Sequence, residues 1–145
     1  MLSLHPVQPS DEPFLIDLHA ATLPSGLPPP LIQMQYLAEN ASYKATYPET
    51  GHAIIKENGQ PIGRWWLHHT EAETRLVDIR LLPTAQRRGI GTQLLRQLQS
   101  QSTRPIRLSV AITNPAAHQL YTRLGFTPTA QSGMHIHMEW LPPSH

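Results

Sequence analysis

The sequence predicts a mixed α/β fold, a sheet with helices packed on it, and three observations carry that prediction. In "TRLVDIRLL" (74–82), Val77, Ile79 and Leu81 alternate with Asp78, Arg80 and Leu82, as in a strand. From Gly89 onward the period changes, and Ile90, Leu94, Leu95 and Leu98 fall on one helical face. The pair Asn58-Gly59 stands between two apolar runs, the signature of a two-residue turn with positive φ at both positions. A chain of 145 residues fits a single domain over residues 1–145, burying about two thirds of its unfolded surface.

The other elements follow in chain order. Residues 2–7 are expected to form a first strand. Ser10 is the expected N-cap of a first helix, with Asp11 and Glu12 favourable in its first turn and Phe14, Leu15 and Leu18 as its apolar positions. The segment "LPSGLPPP" (23–30) must break that helix, because proline lacks the donor and clashes with the preceding turn. A short second helix is expected over 30–39, with Leu31, Met34 and Ala38 as its apolar positions. "AIIKENGQPIGRWWLHH" supplies the hairpin, and "IRLSVA" (106–111) reads as a buried strand. In "TNPAAHQLYTRLGF", Asn114 caps a helix, Pro115 suits its first turn and Gly125 ends it. "MHIHMEW" (134–140) reads as the last strand, so the predicted order is β-α-α-β-β-β-α-β-α-β-β.

Composition narrows the function. A net charge of +1 argues against a nucleic-acid binder that works by bulk electrostatics. Nine of the eleven basic residues are arginine, which suits planar recognition of phosphate. Cysteine is absent, which removes thiolate metal sites and a cysteine nucleophile and is compatible with a reducing cytoplasm. No signal peptide is read at the N-terminus, and no apolar run approaches the ~20 residues of a membrane span. The expectation is a cytoplasmic protein with neither a nucleic-acid nor a membrane partner.

The chemistry is expected in "LLPTAQRRGIGTQLLRQL" (81–98). At a turn that opens a helix, the first N–H groups have no partners within the helix, and the helix dipole adds partial positive charge. A pyrophosphate is a natural guest there. Gly89 and Gly91 keep side chains out of its way, and Arg87 and Arg88 add charge-assisted bonds. No lysine follows Gly91, as a Walker-type loop requires, and Leu94 stands where a dinucleotide fingerprint needs its third glycine. What stands here is Gln86-Arg87-Arg88-Gly89-Ile90-Gly91, a Q-x-x-G-x-G.

Together with a second block, this stretch resembles the GNAT N-acetyltransferase superfamily. "VDIRLLPTAQRRGIGTQLL" (77–95) is similar to that family's central strand, pyrophosphate loop and helix. "LSVAITNPAAHQLYTRLGF" (108–126) is similar to its next strand and helix, with N-x-x-A-x-x-L-Y-x-x-x-G-F at Asn114, Ala117, Leu120, Tyr121, Gly125 and Phe126. The N-terminal half matches in element order only. The resemblance implies a mixed, mostly antiparallel sheet with helices on both faces and a splayed central strand pair. It implies acetyl-CoA as cosubstrate, its pyrophosphate on the N–H groups of residues 87–92, which include Ile90 and Thr92. Its pantetheine arm would pair with strand backbone at Ile79 and Leu81, and the N–H near Leu81 would donate to the thioester oxygen. Gln86, Asn114 and Tyr121 complete the implied cofactor set.

Tyr121 matches the family's usual general acid, and a phenol of pKa about 10 holds a proton at neutral pH. Its bland alternative is a core tyrosine beside Leu120 and Leu124. Asp78 is the leading base, the alternative being an ion pair with Arg80 or another arginine. His135 and His137 share one sheet face, but no third ligand is evident and no metal is expected. His68, His69 and His118 are expected at surface or packing positions. Of Trp65 and Trp66, one is expected toward the core; the other either packs or stacks on a substrate. The acceptor is an amine, on a small molecule or on a protein, and the oligomeric state is left open, a homodimer included. An acyl-CoA binding or sensing module without turnover is the alternative function, and a histidine-rich metal protein is a weaker one.

Overall fold

The computed structural model describes residues 1–23 and 26–143. Seven strands form one sheet: β1 (Leu2–Pro6), β2 (His52–Glu57), β3 (Gln60–His69), β4 (Thr74–Leu81), β5 (Ile106–Ala111), β6 (Thr127–Ser132) and β7 (His135–Trp140). Four α-helices accompany them: α1 (Glu12–Thr22), α2 (Pro29–Thr46), α3 (Ile90–Gln101) and α4 (Pro115–Arg123). The strand order is β1-β2-β3-β4-β5-β7-β6. The pairs β1–β2, β2–β3, β5–β7 and β6–β7 are antiparallel. β4 and β5 run parallel and pair at Thr74↔Ile106 and Arg75↔Arg107, the first residues of both strands. The mixed, mostly antiparallel sheet and the element order are those the sequence predicts.

Two compact units make up the chain: residues 1–67 with 77–88, and residues 68–76 with 89–145. In the first, Leu15, Leu18, Tyr36 and Ile54 form a buried cluster, with Val7, Phe14, Ile16 and Leu82 packed against it. The β2–β3 hairpin turns at Asn58 (φ 51°) and Gly59 (φ 83°), the positive-φ pair expected of Asn-Gly. In the second unit, α3 buries Ile90, Leu94, Leu95 and Leu98 on one face, as its period predicts, and Gly91 is buried with them. Burying a leucine such as Leu95 contributes about 1.5–3 kcal/mol.

Two helices depart from expectation. Ser10 does not cap α1; it lies in a 3₁₀ turn, Pro9–Asp11, and Asp11 precedes the helix. The Asp11 carboxylate instead accepts the Gln8 N–H at 2.8 Å, so it closes the turn before the helix. α2 spans 18 residues instead of the expected ten or so, beginning at Pro29 after an extended Pro28. Its prolines Pro29 and Pro30 occupy the first turn, where the missing donors would be unpaired anyway, so they start this helix. Pro24 and Ser25 of the expected breaker lie outside the described residues, as do Ser144 and His145.

The face of α2 is also reversed. Leu31 and Met34 are 39% and 65% exposed, and Ala38 is exposed too. Tyr36 and Asn40 are the buried residues. Apolar periodicity therefore marks the wrong side of this helix, because its inward stripe is polar.

Gly63 shows how tightly β3 and β4 approach. A Cβ there would drive into the Arg80 carbonyl oxygen, with the Leu81 side chain next to it. Gly63→Ala should therefore lower stability by about 1–3 kcal/mol, the usual cost of overpacking. Urea unfolding measures this, and an unchanged midpoint would show that the strands separate at no cost.

Candidate functional site

The glycine turn begins where β4 ends. The Leu82 N–H donates to the Ile62 carbonyl at 2.8 Å, and the Gln86 side-chain amide donates to the Leu81 carbonyl at 3.0 Å. Gln86 thus folds back on the last residue of the strand and fixes the start of the turn. Two residues then adopt left-handed backbone, Arg87 (φ 62°) and Gly89 (φ 77°). A Cβ on Gly89 would meet nothing within 4 Å, so backbone angle, not crowding, requires glycine in this protein alone. Gly89 is the N-cap of α3, whose first bond at this end runs from the Gln93 N–H to the Gly89 carbonyl at 2.9 Å. The N–H groups of Ile90, Gly91 and Thr92 lie before that bond and cannot be satisfied within the helix. N–H groups left over at a helix start can take an anion as partner.

Arg88 already has a partner. Its Nη2 donates to both carboxylate oxygens of Glu57, at 2.9 and 2.8 Å.

Upstream, α1, α2, β3 and β4 converge on a polar cluster of which the sequence indicated only the pairing of Asp78 with Arg80 or another arginine. The Arg64 guanidinium is buried, with its side chain 1% exposed. Its Nε donates to Asp78 Oδ2 at 2.7 Å, and its Nη2 donates to Glu39 Oε1 at 2.7 Å. Nη1 reaches Asn40 Oδ1 at 3.5 Å, and the guanidinium lies 5.6 Å from the centre of the Tyr43 ring. Arg80 forms a second bridge, with Nη2 3.1 Å from Glu39 Oε1 and Nε 3.8 Å from Asp78 Oδ2. Arg80 Nη1 donates to His19 Nδ1 at 2.8 Å, so that ring carries its own proton on Nε2. Two guanidiniums and two carboxylates alternate, and the cluster closes electrically. Asp78 (16% exposed), Arg80 (20%) and Glu39 (29%) reach solvent in part.

Asp78 is therefore tied chiefly to Arg64, with Arg80 more distant. The one sequence signal for Arg64 was an arginine set inside the apolar run "IGRWW". The signal in α2 was polar: Tyr36, Glu39, Asn40 and Tyr43 recur at helical spacing.

Burial sets the protonation states around the cluster. It pulls the His19 imidazole below its ordinary value, against an opposing pull from Glu39, with Arg80 and Arg64 lowering it further. It raises the phenols of Tyr36 and Tyr43. Burial disfavours the Arg64 cation, but Asp78 and Glu39 outweigh that and hold it charged. His52 is pushed down to about 4, first by burial and then by Arg64.

Trp66 lies against these groups. Its ring stacks on His52 with centroids 4.2 Å apart, meets Tyr43 edge-on, and donates from Nε1 to the Pro48 carbonyl at 3.1 Å. Trp65 is buried as well, so both tryptophans pack.

In the second unit, Asn114 caps α4, its Oδ1 accepting the Ala117 N–H at 3.2 Å. Gly125 (φ 92°) follows the end of the helix. Tyr121 is buried on α4, edge-on to Phe126 at 5.7 Å. His137 Nδ1 lies 2.8 Å from Ser109 Oγ, and His69 Nδ1 lies 3.0 Å from Thr74 Oγ1. Among the described residues no three His, Asp or Glu side chains gather as a metal site. Among the same residues no helix is long and apolar enough to cross a membrane.

The acetyltransferase (GNAT) family model matches residues 14–126, and the chain belongs to that family. No curated protein sequence matches it. Among solved structures it is similar to the PaiA N-acetyltransferase of Thermoplasma acidophilum in complex with coenzyme A. That match has 17% identity and a TM-score of 0.70, covering 96% of this chain and 98% of that one. Protein PH1933 of Pyrococcus horikoshii is similar at 17% identity and a TM-score of 0.75, covering 99% and 100% of the two chains. A spermidine N-acetyltransferase chimera of Vibrio cholerae SpeG and hSSAT is similar at 19% identity and a TM-score of 0.70, covering 97% and 95%. Family membership makes acetyl transfer from acetyl-CoA the general activity.

The buried ions yield two predictions. Arg64→Met should cost about 3–5 kcal/mol, because it strands Asp78 and Glu39, and adding Asp78→Asn should recover part of the loss. Urea unfolding of both variants checks it; a loss below about 1 kcal/mol would mean the carboxylates find water instead. His52 supplies a pH dependence. Its folded value of about 4 lies below the ordinary 6.5, so the unfolded chain binds the proton more readily. The stability this gives is complete above pH 6.5 and is lost as the pH falls from 6.5 toward 4. His52→Gln should flatten the stability–pH curve in that window, as read from urea midpoints; an unchanged slope would contradict a buried neutral imidazole.

Proposed function

We propose that this protein is an N-acetyltransferase that moves an acetyl group from acetyl-CoA directly to an amine within a ternary complex. The observation that carries the reading is the turn at Arg87–Gly89, left-handed at both ends and opening straight into the unpaired N–H groups of α3. The residues present fit a pyrophosphate: N–H donors, an open approach over Gly89 and two adjacent arginines. Arg87, Arg88, Gly89, Ile90, Gly91 and Thr92 would hold the phosphates. Gln86 supports the turn, Ile79 and Leu81 offer strand backbone to the pantetheine amides, and Asn114 stabilises the helix that bears Tyr121.

Acetyl-CoA supplies the acyl group already activated as a thioester. The chain's own groups do the rest. As the amine nitrogen bonds to the carbonyl carbon, the N–H near Leu81 stabilises the charge gathering on oxygen, a contribution of about 2.7–4 kcal/mol in related acyl transfer. The Asp78 carboxylate, held in one orientation by Arg64, takes the proton of the amine directly or through water. The C–S bond then breaks, and the Tyr121 hydroxyl gives its proton to the leaving sulfur. A small-molecule amine and a protein amine are both compatible with this chemistry.

Calorimetry with CoA tests the cofactor site, and Gly89→Val should weaken binding at least about tenfold, since a branched residue resists φ 77° and fills the phosphate approach. Unchanged affinity would make the turn structural only. Tyr121→Phe should leave CoA affinity nearly intact while lowering turnover roughly 10²–10⁴-fold, the contribution of a positioned acid. Asp78→Asn should instead raise the acceptor KM or move the acidic limb of the pH–rate profile. Full turnover in Tyr121→Phe would remove the acid assignment.

A further inference from the structure

Arg88 is bound to Glu57 in the same turn that is proposed to take phosphate. Glu57 is the fixed partner. It ends β2, and its backbone is paired on one side with Leu2 of β1 and on the other with Gln60 of β3. Arg88 lies in the turn, one residue after the left-handed Arg87 and one before the left-handed Gly89. Its side chain is 49% exposed, and that of Glu57 is 26% exposed. Ion pairs this open contribute little, about 0.2–1 kcal/mol, so the guanidinium leaves at small cost. A pyrophosphate carries more charge than one carboxylate and presents more acceptor oxygens, so it wins Arg88 when it is present.

We infer that Glu57 is an internal competitor for the pyrophosphate: it holds Arg88 whenever CoA is not bound and takes it back as CoA departs, setting cofactor affinity and release. The inference rests on the proposed cofactor site. Acetyl-CoA and CoA share the same phosphates, so the exchange acts equally on substrate and product. It weakens both by the strength of the pair that must be broken. In an enzyme that has to shed CoA after each transfer, that shortens the stay of the product.

The test is a double-mutant cycle on CoA affinity and dissociation rate, by calorimetry and stopped-flow displacement, with Glu57→Gln, Arg88→Gln and the double variant. Circular dichroism and urea unfolding confirm that each is folded, and Glu57→Ala serves as a second variant should Gln rebuild a hydrogen bond. Glu57→Gln should bind CoA about 2- to 5-fold more tightly, through slower dissociation, as expected for removing an exposed pair. In the Arg88→Gln background the same change should have less than about twofold effect, because the competition has lost its object. The gain should also shrink as salt is added. Weaker binding in Glu57→Gln would overturn the inference and make Glu57 a positioning residue for Arg88. A gain that persists without Arg88 would also overturn it, leaving only the general repulsion of a nearby negative charge. Failure of the wild-type protein to bind CoA would sink the cofactor site and this inference together, an outcome distinct from both.

Discussion

One buried guanidinium organises the N-terminal unit. Arg64 stands on β3, yet its three nitrogens reach Asp78 on β4 and both Glu39 and Asn40 on α2. Arg80 carries the chain of contacts on to His19 of α1. Removing such a charge from water costs several kcal/mol, and its carboxylate partners do little more than offset that. Apolar residues of similar volume in place of the whole ion-paired group would pack as well, whereas removing the arginine alone would not. The arginine's effect is therefore positional: it sets the register of α2 against the strands and holds Asp78 in one orientation.

That constraint explains the inverted helix. With a cation beneath it, α2 must turn Glu39, Asn40 and Tyr43 inward, and Leu31 and Met34 are left facing water. It also explains the aromatic surroundings. Tyr43 borders the guanidinium on one side and Trp66 on the other, and Trp66 in turn stacks on a neutral His52. Arg64 is met by two carboxylates, the Asn40 amide and the Tyr43 ring, and the second guanidinium, Arg80, shares both carboxylates from a more exposed position.

Elements governed by their own sequence were legible, and those governed by a distant partner were not. Asn58-Gly59 turns where any such pair would, because the positive φ is local. Asn114 caps α4 through a bond three residues away, and the α3 stripe of Leu94, Leu95 and Leu98 is plain hydrophobic periodicity. The glycine turn was legible for the same reason. Helix α2 was not, since its inward face depends on a residue 24 positions further along, Arg64 bonding Asn40. Ser10 was misread because Asp11 had a better local use, closing the turn on Gln8. Asp78 was found as a candidate base, but its principal partner Arg64 was not named, since pairing across strands leaves no trace in spacing.

The backbone of the turn at 86–92 and the polar cluster around Asp78 divide the proposed chemistry between them, the first receiving the cofactor's charge and the second the acceptor's proton. The claim that joins them is that bound acetyl-CoA is turned over on an amine. It is tested most directly by incubating the purified protein with acetyl-CoA and a panel of amines, from polyamines and amino acids to peptide N-termini. Free thiol is followed and the acetylated product identified by mass. The account predicts thiol release that depends on one class of amine, with one acetylated amine formed per thiol. Tight acetyl-CoA binding with no amine-dependent thiol release across the panel would contradict it, and would make the protein a cofactor-binding module.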